Sequence, residues 1–310
     1  MRKIGLLFIL ISFSTGISAQ LIREIKLNYS SSNDHYFVVE PKGNIQGALV
    51  LLPGSYQEAE SIFPETKLHN VAYLHNLLVV AFTCGKTKAY IDDQTLENID
   101  TVLDHVIKTF HVPKDKFAIG GYSAGGVIAL TYAEHCKQYP HKAVINPQAV
   151  FTADSPVDLV DVWYTFNREV EKNFSEAAMN EAKAFLKTMK EDLNGTPHTN
   201  LENYIKHSPF YSKADDGGNA KYLLQTAVRL YHDPDILWQL KNRRRSLFDM
   251  NILCASAMVN YLLLQGNEKA ELMIADRPGT RSDGFRHPHS WSIIEEVDCI
   301  LWIKKSLGIE

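Results

Sequence analysis

The order of apolar runs in this chain predicts an α/β fold on a mostly parallel sheet. Three observations carry that expectation. Short, uniformly apolar runs recur along the chain, as central strands covered on both faces require. Segments with helical periodicity separate them, the alternation that leads to a parallel sheet. A glycine-rich turn closes one of the runs directly ahead of a helical segment.

The elements follow in order. Residues 1–19 read as an export signal rather than as fold: Arg2 and Lys3 precede an apolar stretch at residues 4–13, then small residues lead to Ala19. The apolar stretch is far shorter than the roughly twenty residues of a membrane span, so a secreted or periplasmic chain without a stable membrane anchor is expected. Residues 22–28 and 35–40 alternate apolar with polar, as an antiparallel edge hairpin does. Residues 48–52 (ALVLL), 77–82 (LLVVAF) and 116–119 (KFAI) are the central strands; residues 149–152, 228–231 and 271–275 are later ones. Helices are expected from the stripe Leu96, Ile99, Leu103, Val106 and Phe110, and at residues 124–136, 253–264 and 291–307. The alternation breaks at about residues 155–222, read as a helical insertion covering the site. It holds one clear amphipathic helix, with Ser175 as N-cap, Ala178, Ala182, Phe185, Met189 and Leu193 as its stripe, and Gly195 as its stop.

Composition narrows the function classes. With 310 residues, 45% hydrophobic and 22% charged, the chain can bury a large core. A formal charge of -4 speaks against nucleic acid as partner. Cys84, Cys136, Cys254 and Cys299 are widely spaced within apolar or helical stretches, so four buried thiols are expected rather than disulfides. The basic run at residues 243–245 reads as a solvated helix face, and Trp238 and Trp291 as packing residues. Asn173 and Asn194 begin glycosylation sequons that matter only in a glycosylating host.

The chemistry lies in Gly121-Tyr122-Ser123-Ala124-Gly125, a G-x-S-x-G pattern after a strand and before a helix. A serine at such an elbow is lifted off the sheet by a strained backbone, and its neighbours must be small. The helix N-terminus then offers the Ala124 N–H where an oxyanion forms. VPKDKFAIGGYSAGGVIAL resembles the nucleophile elbow of the α/β-hydrolase superfamily, and the doubled Gly125-Gly126 is most similar to its esterase and prolyl-oligopeptidase-like branches. The resemblance spans about residues 47–307. The stretch ahead of it is too short for the β-propeller of a full-length prolyl oligopeptidase.

The resemblance implies the order serine, acid, histidine, each on a loop after a strand. Ser123 is then the nucleophile. His289 is the expected base, because it directly precedes the last helical segment, with His287 as the alternative. A metal pair at His287 and His289 is disfavoured by the lack of a third ligand at suitable spacing. Asp235 is the expected acid, with Asp233 second and Asp154, on the earlier loop, as a further alternative; an aspartate here could equally be a helix cap. The second oxyanion donor is expected from Ser55 in Pro53-Gly54-Ser55-Tyr56, where similar hydrolases more often carry His-Gly. Tyr56 and Tyr122 are candidate substrate-binding residues. The expected function is carboxylic ester hydrolysis through an acyl-enzyme, on a small molecule, acylated carbohydrate or peptide substrate, with no cofactor. A prolyl-oligopeptidase-like peptidase and an inactive hydrolase-fold binding protein are the competing expectations.

Overall fold

The structure is a computed structural model that describes residues 20–27, 35–84 and 88–310. The expected export signal at residues 1–19 lies outside the described residues. Among the described residues, eight strands form one sheet: β1 (Ile22–Lys26), β2 (His35–Val39), β3 (Gly47–Leu52), β4 (Leu77–Ala81), β5 (Phe117–Tyr122), β6 (Ala149–Ala153), β7 (Ala227–His232) and β8 (Ala270–Ile274). Their spatial order is β1-β2-β4-β3-β5-β6-β7-β8. The β1–β2 and β2–β4 pairs are antiparallel and all others are parallel, so the hairpin sits at one edge as its alternating pattern predicts. Strands β3, β4, β5, β6 and β7 are buried along their whole length, which is why β3, β4 and β5 read as unbroken apolar runs, while β7 also buries Arg229 and His232.

Among the described residues, ten α-helices accompany the sheet: α1 (Ile62–Glu65), α2 (Leu68–Leu74), α3 (Asp93–Phe110), α4 (Ala124–Gln138), α5 (Leu159–Lys172), α6 (Glu176–Asp192), α7 (Leu201–His207), α8 (Ile236–Arg243), α9 (Ile252–Leu264) and α10 (Glu296–Ser306). One core packs α3, α4 and α9 on one face of the sheet, around Val50, Ile119 and Val228. The other packs α1, α2 and α10 on the opposite face, around Leu49, Leu51 and Phe151. Burial on both faces supplies the apolar area that stabilises the domain. All four cysteines are free and buried, as expected.

Between β6 and β7 the chain leaves the sheet. The stripe of α6 falls where its spacing predicts, with Ser175 as the N-cap accepting from the Ala178 N–H at 3.4 Å. Two further helices, α5 and α7, flank it. α5 begins on Asp158, whose side chain accepts from the N–H groups of Val160 and Asp161. The three helices share a small cluster of their own around Leu159, Met189 and Tyr204. The final helix starts later than its apolar pattern suggests. A short 3-10 turn at Trp291–Ile293 precedes α10, which begins where Glu295 caps the Asp298 N–H.

Candidate active site

Strand β5 delivers Ser123 to the top of the sheet in a strained conformation, φ 54° and ψ −124°, at the N-cap of α4. The close approach around it explains the glycines. A Cβ on Gly121 would lie 2.2 Å from the Gly125 carbonyl, and one on Gly125 would lie 2.2 Å from the Pro53 oxygen.

His289 stands over the serine, with Nε2 3.0 Å from Ser123 Oγ. Its Nδ1 donates to Asp154 Oδ2 at 2.7 Å. The carboxylate that meets the expected base is therefore the one after β6, not Asp235 after β7. Asp154 is tightly held: its N–H donates to the Tyr231 carbonyl at 2.8 Å, its own carbonyl accepts from Asn251 Nδ2 at 2.9 Å, and its φ is 45°. Its second oxygen accepts from His232 Nδ1 at 2.9 Å. Burial pushes the Asp154 carboxyl up, but the charge of His289 and the hydrogen bonds from His232 and His289 outweigh it and hold it well below the usual carboxylate range.

Asp235 and Asp233 have other work. Asp235 caps α8, accepting from the Trp238 N–H at 2.9 Å, and pairs with Arg286 at 2.7 Å. Asp233 pairs with the same guanidinium at 2.8 Å and accepts from the Gly279 N–H. Both thus anchor the loop that carries His289. The backbone bond to Trp238, ahead of the Arg286 contacts, lowers the Asp235 carboxyl despite its slight burial. His287 makes no hydrogen bond to the serine among the described residues: its Nδ1 donates to the His289 carbonyl at 3.0 Å and its ring meets Trp238 edge-on. Burial first, then the charges of His289, Arg281 and Arg243, brings His287 down to about 4.

Ala124 and Ser55 line the same cavity as Ser123. Ala124 opens α4, so its N–H has no intrahelical acceptor, and the Ser55 N–H finds none among the described residues. Tyr122 also lines the cavity, but its hydroxyl donates to the His289 carbonyl at 3.0 Å and its ring lies 4.7 Å from the His289 ring. It braces the base. Tyr56 is half exposed, with φ 60°, and packs edge-on against Phe185 at 6.0 Å rather than lining the cavity.

The cavity holds about 250 Å³. Its roof comes from the stretch between β6 and β7: Phe166 of α5 and Phe185 of α6 pack together and against Ala124. The basic run at residues 243–245 is a solvated face only in part: Arg244 is exposed, but its two neighbours are not. Arg243 and Arg245 line the cavity, and Arg245 pairs with buried Glu169 at 2.7 Å.

Sequence reasoning missed His232 and Asn251. His232 carries one signal, a polar residue closing a buried strand; Asn251, lying between helical segments, carries none.

Comparison with solved structures matches this architecture. Carboxyl esterase 2 from the mycorrhizal fungus Tuber melanosporum superposes with a TM-score of 0.60 at 12% identity, over 95% of this chain and 89% of its own. The fold is that of the α/β-hydrolases. The fluorophosphonate-binding serine hydrolase F of Staphylococcus aureus gives 0.53 at 16% identity, over 91% of this chain and 98% of its own. Prolyl oligopeptidase B from Galerina marginata gives 0.54 at 13% identity, over 94% of this chain but 37% of its own. No protein-family model matches the sequence, and no curated protein matches it. At these identities the likeness to other α/β-hydrolase structures speaks for the fold, and function must be argued from the site.

Proposed function

We propose that this protein is a serine hydrolase that cleaves a carboxylic ester through an acyl-enzyme. One observation carries the reading: Ser123 Oγ, His289 and Asp154 stand in line at 3.0 Å and 2.7 Å on the wall of a cavity.

The Ser123 hydroxyl is a weak nucleophile until His289 Nε2 takes its proton as it attacks the ester carbonyl. Asp154 keeps Nδ1 protonated and stabilises the imidazolium. The Ala124 and Ser55 N–H groups receive the oxyanion in a geometry already built before reaction. His289 then protonates the departing alcohol, and a water activated by the same imidazole releases the acid. Acyl transfer to Ser123 and then to water balances with these groups alone.

The helices between β6 and β7 act as the lid and set substrate size. The cavity volume fits a small-molecule ester better than a folded or long peptide. The Arg2-Lys3 and apolar pattern of residues 1–19 supports export to the periplasm or the medium.

A fluorophosphonate probe tests the reading. Labelling at Ser123, lost in Ser123→Ala, is expected; folded protein that does not label would make it a hydrolase-fold binding protein instead. A panel of short esters, acylated sugars and aminoacyl anilides then assigns the substrate, and turnover of anilides alone would make it a peptidase.

A further inference from the structure

Most charges that face the cavity are matched inside the protein. Asp154 accepts from two histidines, Asp233 pairs with Arg286, and Asp249 is held by Arg168 and Lys172, each at 2.8 Å. Arg245 is neutralised by Glu169.

Two guanidiniums in the cavity wall are not matched in this way. Arg243 donates to Ser175 Oγ at 2.7 Å and lies over the Trp238 ring at 6.0 Å, with no ion pair to a carboxylate among the described residues. Arg281 lies over the Tyr122 ring at 5.0 Å and donates to the Tyr122 hydroxyl, likewise with no ion pair. Both are partly buried. Burial, and after it the charge of Arg245, presses the Arg243 guanidinium below its usual value against the opposing charges of Glu181 and Glu169. Glu181 lies exposed on α6 and makes no ion pair among the described residues, and Glu169 is held by Arg245.

The positions of the two arginines matter more than their number. Trp238, His287, His289 and Tyr122 form a row of rings, with 4.7 Å between Trp238 and His287, 6.4 Å between the two histidines and 4.7 Å between His289 and Tyr122. Arg243 stands at the Trp238 end and Arg281 at the Tyr122 end. The row therefore flanks the imidazole that protonates the leaving oxygen. Whatever the ester expels must sit against it. Guanidinium is weakly hydrated and matches a carboxylate in a two-pronged geometry, so it suits a partly buried wall of the cavity.

We infer that Arg243 and Arg281 form an anion-recognising subsite on the leaving-group side of Ser123, and that the preferred substrates are esters whose alcohol or phenol portion bears a carboxylate. The inference rests on the serine-hydrolase reading above.

The test uses a matched pair: the acetate esters of 4-hydroxybenzoate, whose leaving group is anionic, and of 4-hydroxybenzamide, whose leaving group is neutral. In the wild-type protein kcat/KM for the benzoate ester should exceed that for the benzamide ester by about tenfold or more, the worth of a hydrogen-bonded charge pair. Added salt should shrink the ratio. Arg243→Gln and Arg281→Gln should each reduce the ratio about tenfold, and Arg243→Lys should restore part of it. Using the ratio within each variant removes any general damage to the His289 loop. A wild-type ratio at or below one, a ratio indifferent to salt, or a ratio unchanged in both folded variants would overturn the subsite. If the variants do not fold, the wild-type ratio and its salt dependence decide. Protein that labels at Ser123 and cleaves both esters equally overturns this inference alone. Protein that neither labels nor cleaves overturns the hydrolase reading as well.

Discussion

Replacing Asp154 by Asn separates the two aspartates that compete for the role of acid. The substitution keeps the size of the side chain, and asparagine accepts the left-handed φ of 45° as readily as aspartate, so the backbone is not strained further. What is lost is a negative charge 2.7 Å from His289 Nδ1. With charge centres about 4 Å apart and an effective dielectric of about 20, that charge stabilises the transient imidazolium by about 4 kcal/mol. The loss corresponds to about a thousandfold in kcat. The amide must also choose between presenting its oxygen and its NH₂ to two histidines that both donate to the present carboxylate, which adds to the loss. Asp235→Asn should cost less than about fivefold. Asparagine caps a helix as well as aspartate does, and Asp233 still holds Arg286 at 2.8 Å. The assay is kcat on an activated ester, normalised to the fraction of Ser123 that reacts with a fluorophosphonate, with circular dichroism as the check on folding. A thousandfold loss in Asp235→Asn together with near-normal turnover in Asp154→Asn would refute the reasoning.

The remaining expectations concern the elbow, the brace and acid stability. Ser123→Gly should abolish turnover yet raise the melting temperature, because glycine relieves the φ of 54° by about 1 kcal/mol; an unchanged or lower melting temperature would contradict the strain. Gly125→Ala should cost about 3 kcal/mol or more and show as loss of soluble protein, because the new Cβ meets main-chain oxygens that cannot move aside. His232→Phe removes one of the two histidine donors to Asp154 and should lower kcat by about tenfold to a hundredfold with KM little changed, while His232→Gln, which can still donate, should recover part of it. His69 and His287 are both held down to about 4, chiefly by burial, with Lys67 adding to it for His69 and His289, Arg281 and Arg243 for His287. The unfolded chain takes up these protons near pH 6.5, so both contributions to stability are complete above about pH 6.5 and are lost as the pH falls toward 4. Thermal scans should therefore show a falling melting temperature across that window, with a shallower fall in His69→Gln; a melting temperature that rises on acidification would contradict the sign.

The sequence alone determined the sheet, the elbow and the expectation of a serine nucleophile. Its strands β3 to β7 are buried along their length, so β3, β4 and β5 are continuous apolar runs, and Gly121 and Gly125 are demanded by contacts within the elbow and with the end of β3. These are signals of local burial and backbone shape, and they survive in a linear reading. The placement of Ser123 opposite His289 agrees with the order the hydrolase pattern implies. The acid did not yield to the same reading. Strands β6 and β7 lie side by side and parallel, and the Asp154 N–H bonds to the Tyr231 carbonyl, so their ends open onto one point. A linear pattern sees acceptable aspartates at 154, 233 and 235 and, going by distance past the strand, ranks Asp235 first. Tertiary structure ranks them by distance: Arg286, fifty-one residues beyond Asp235, draws Asp233 and Asp235 into the loop anchor, and His232 and His289 converge on Asp154. The arginines at 243 and 281 show the same limit. A charge run looks solvated from its composition, and only the packing of α8 against the His289 loop and the start of α6 turns Arg243 into a wall of the cavity.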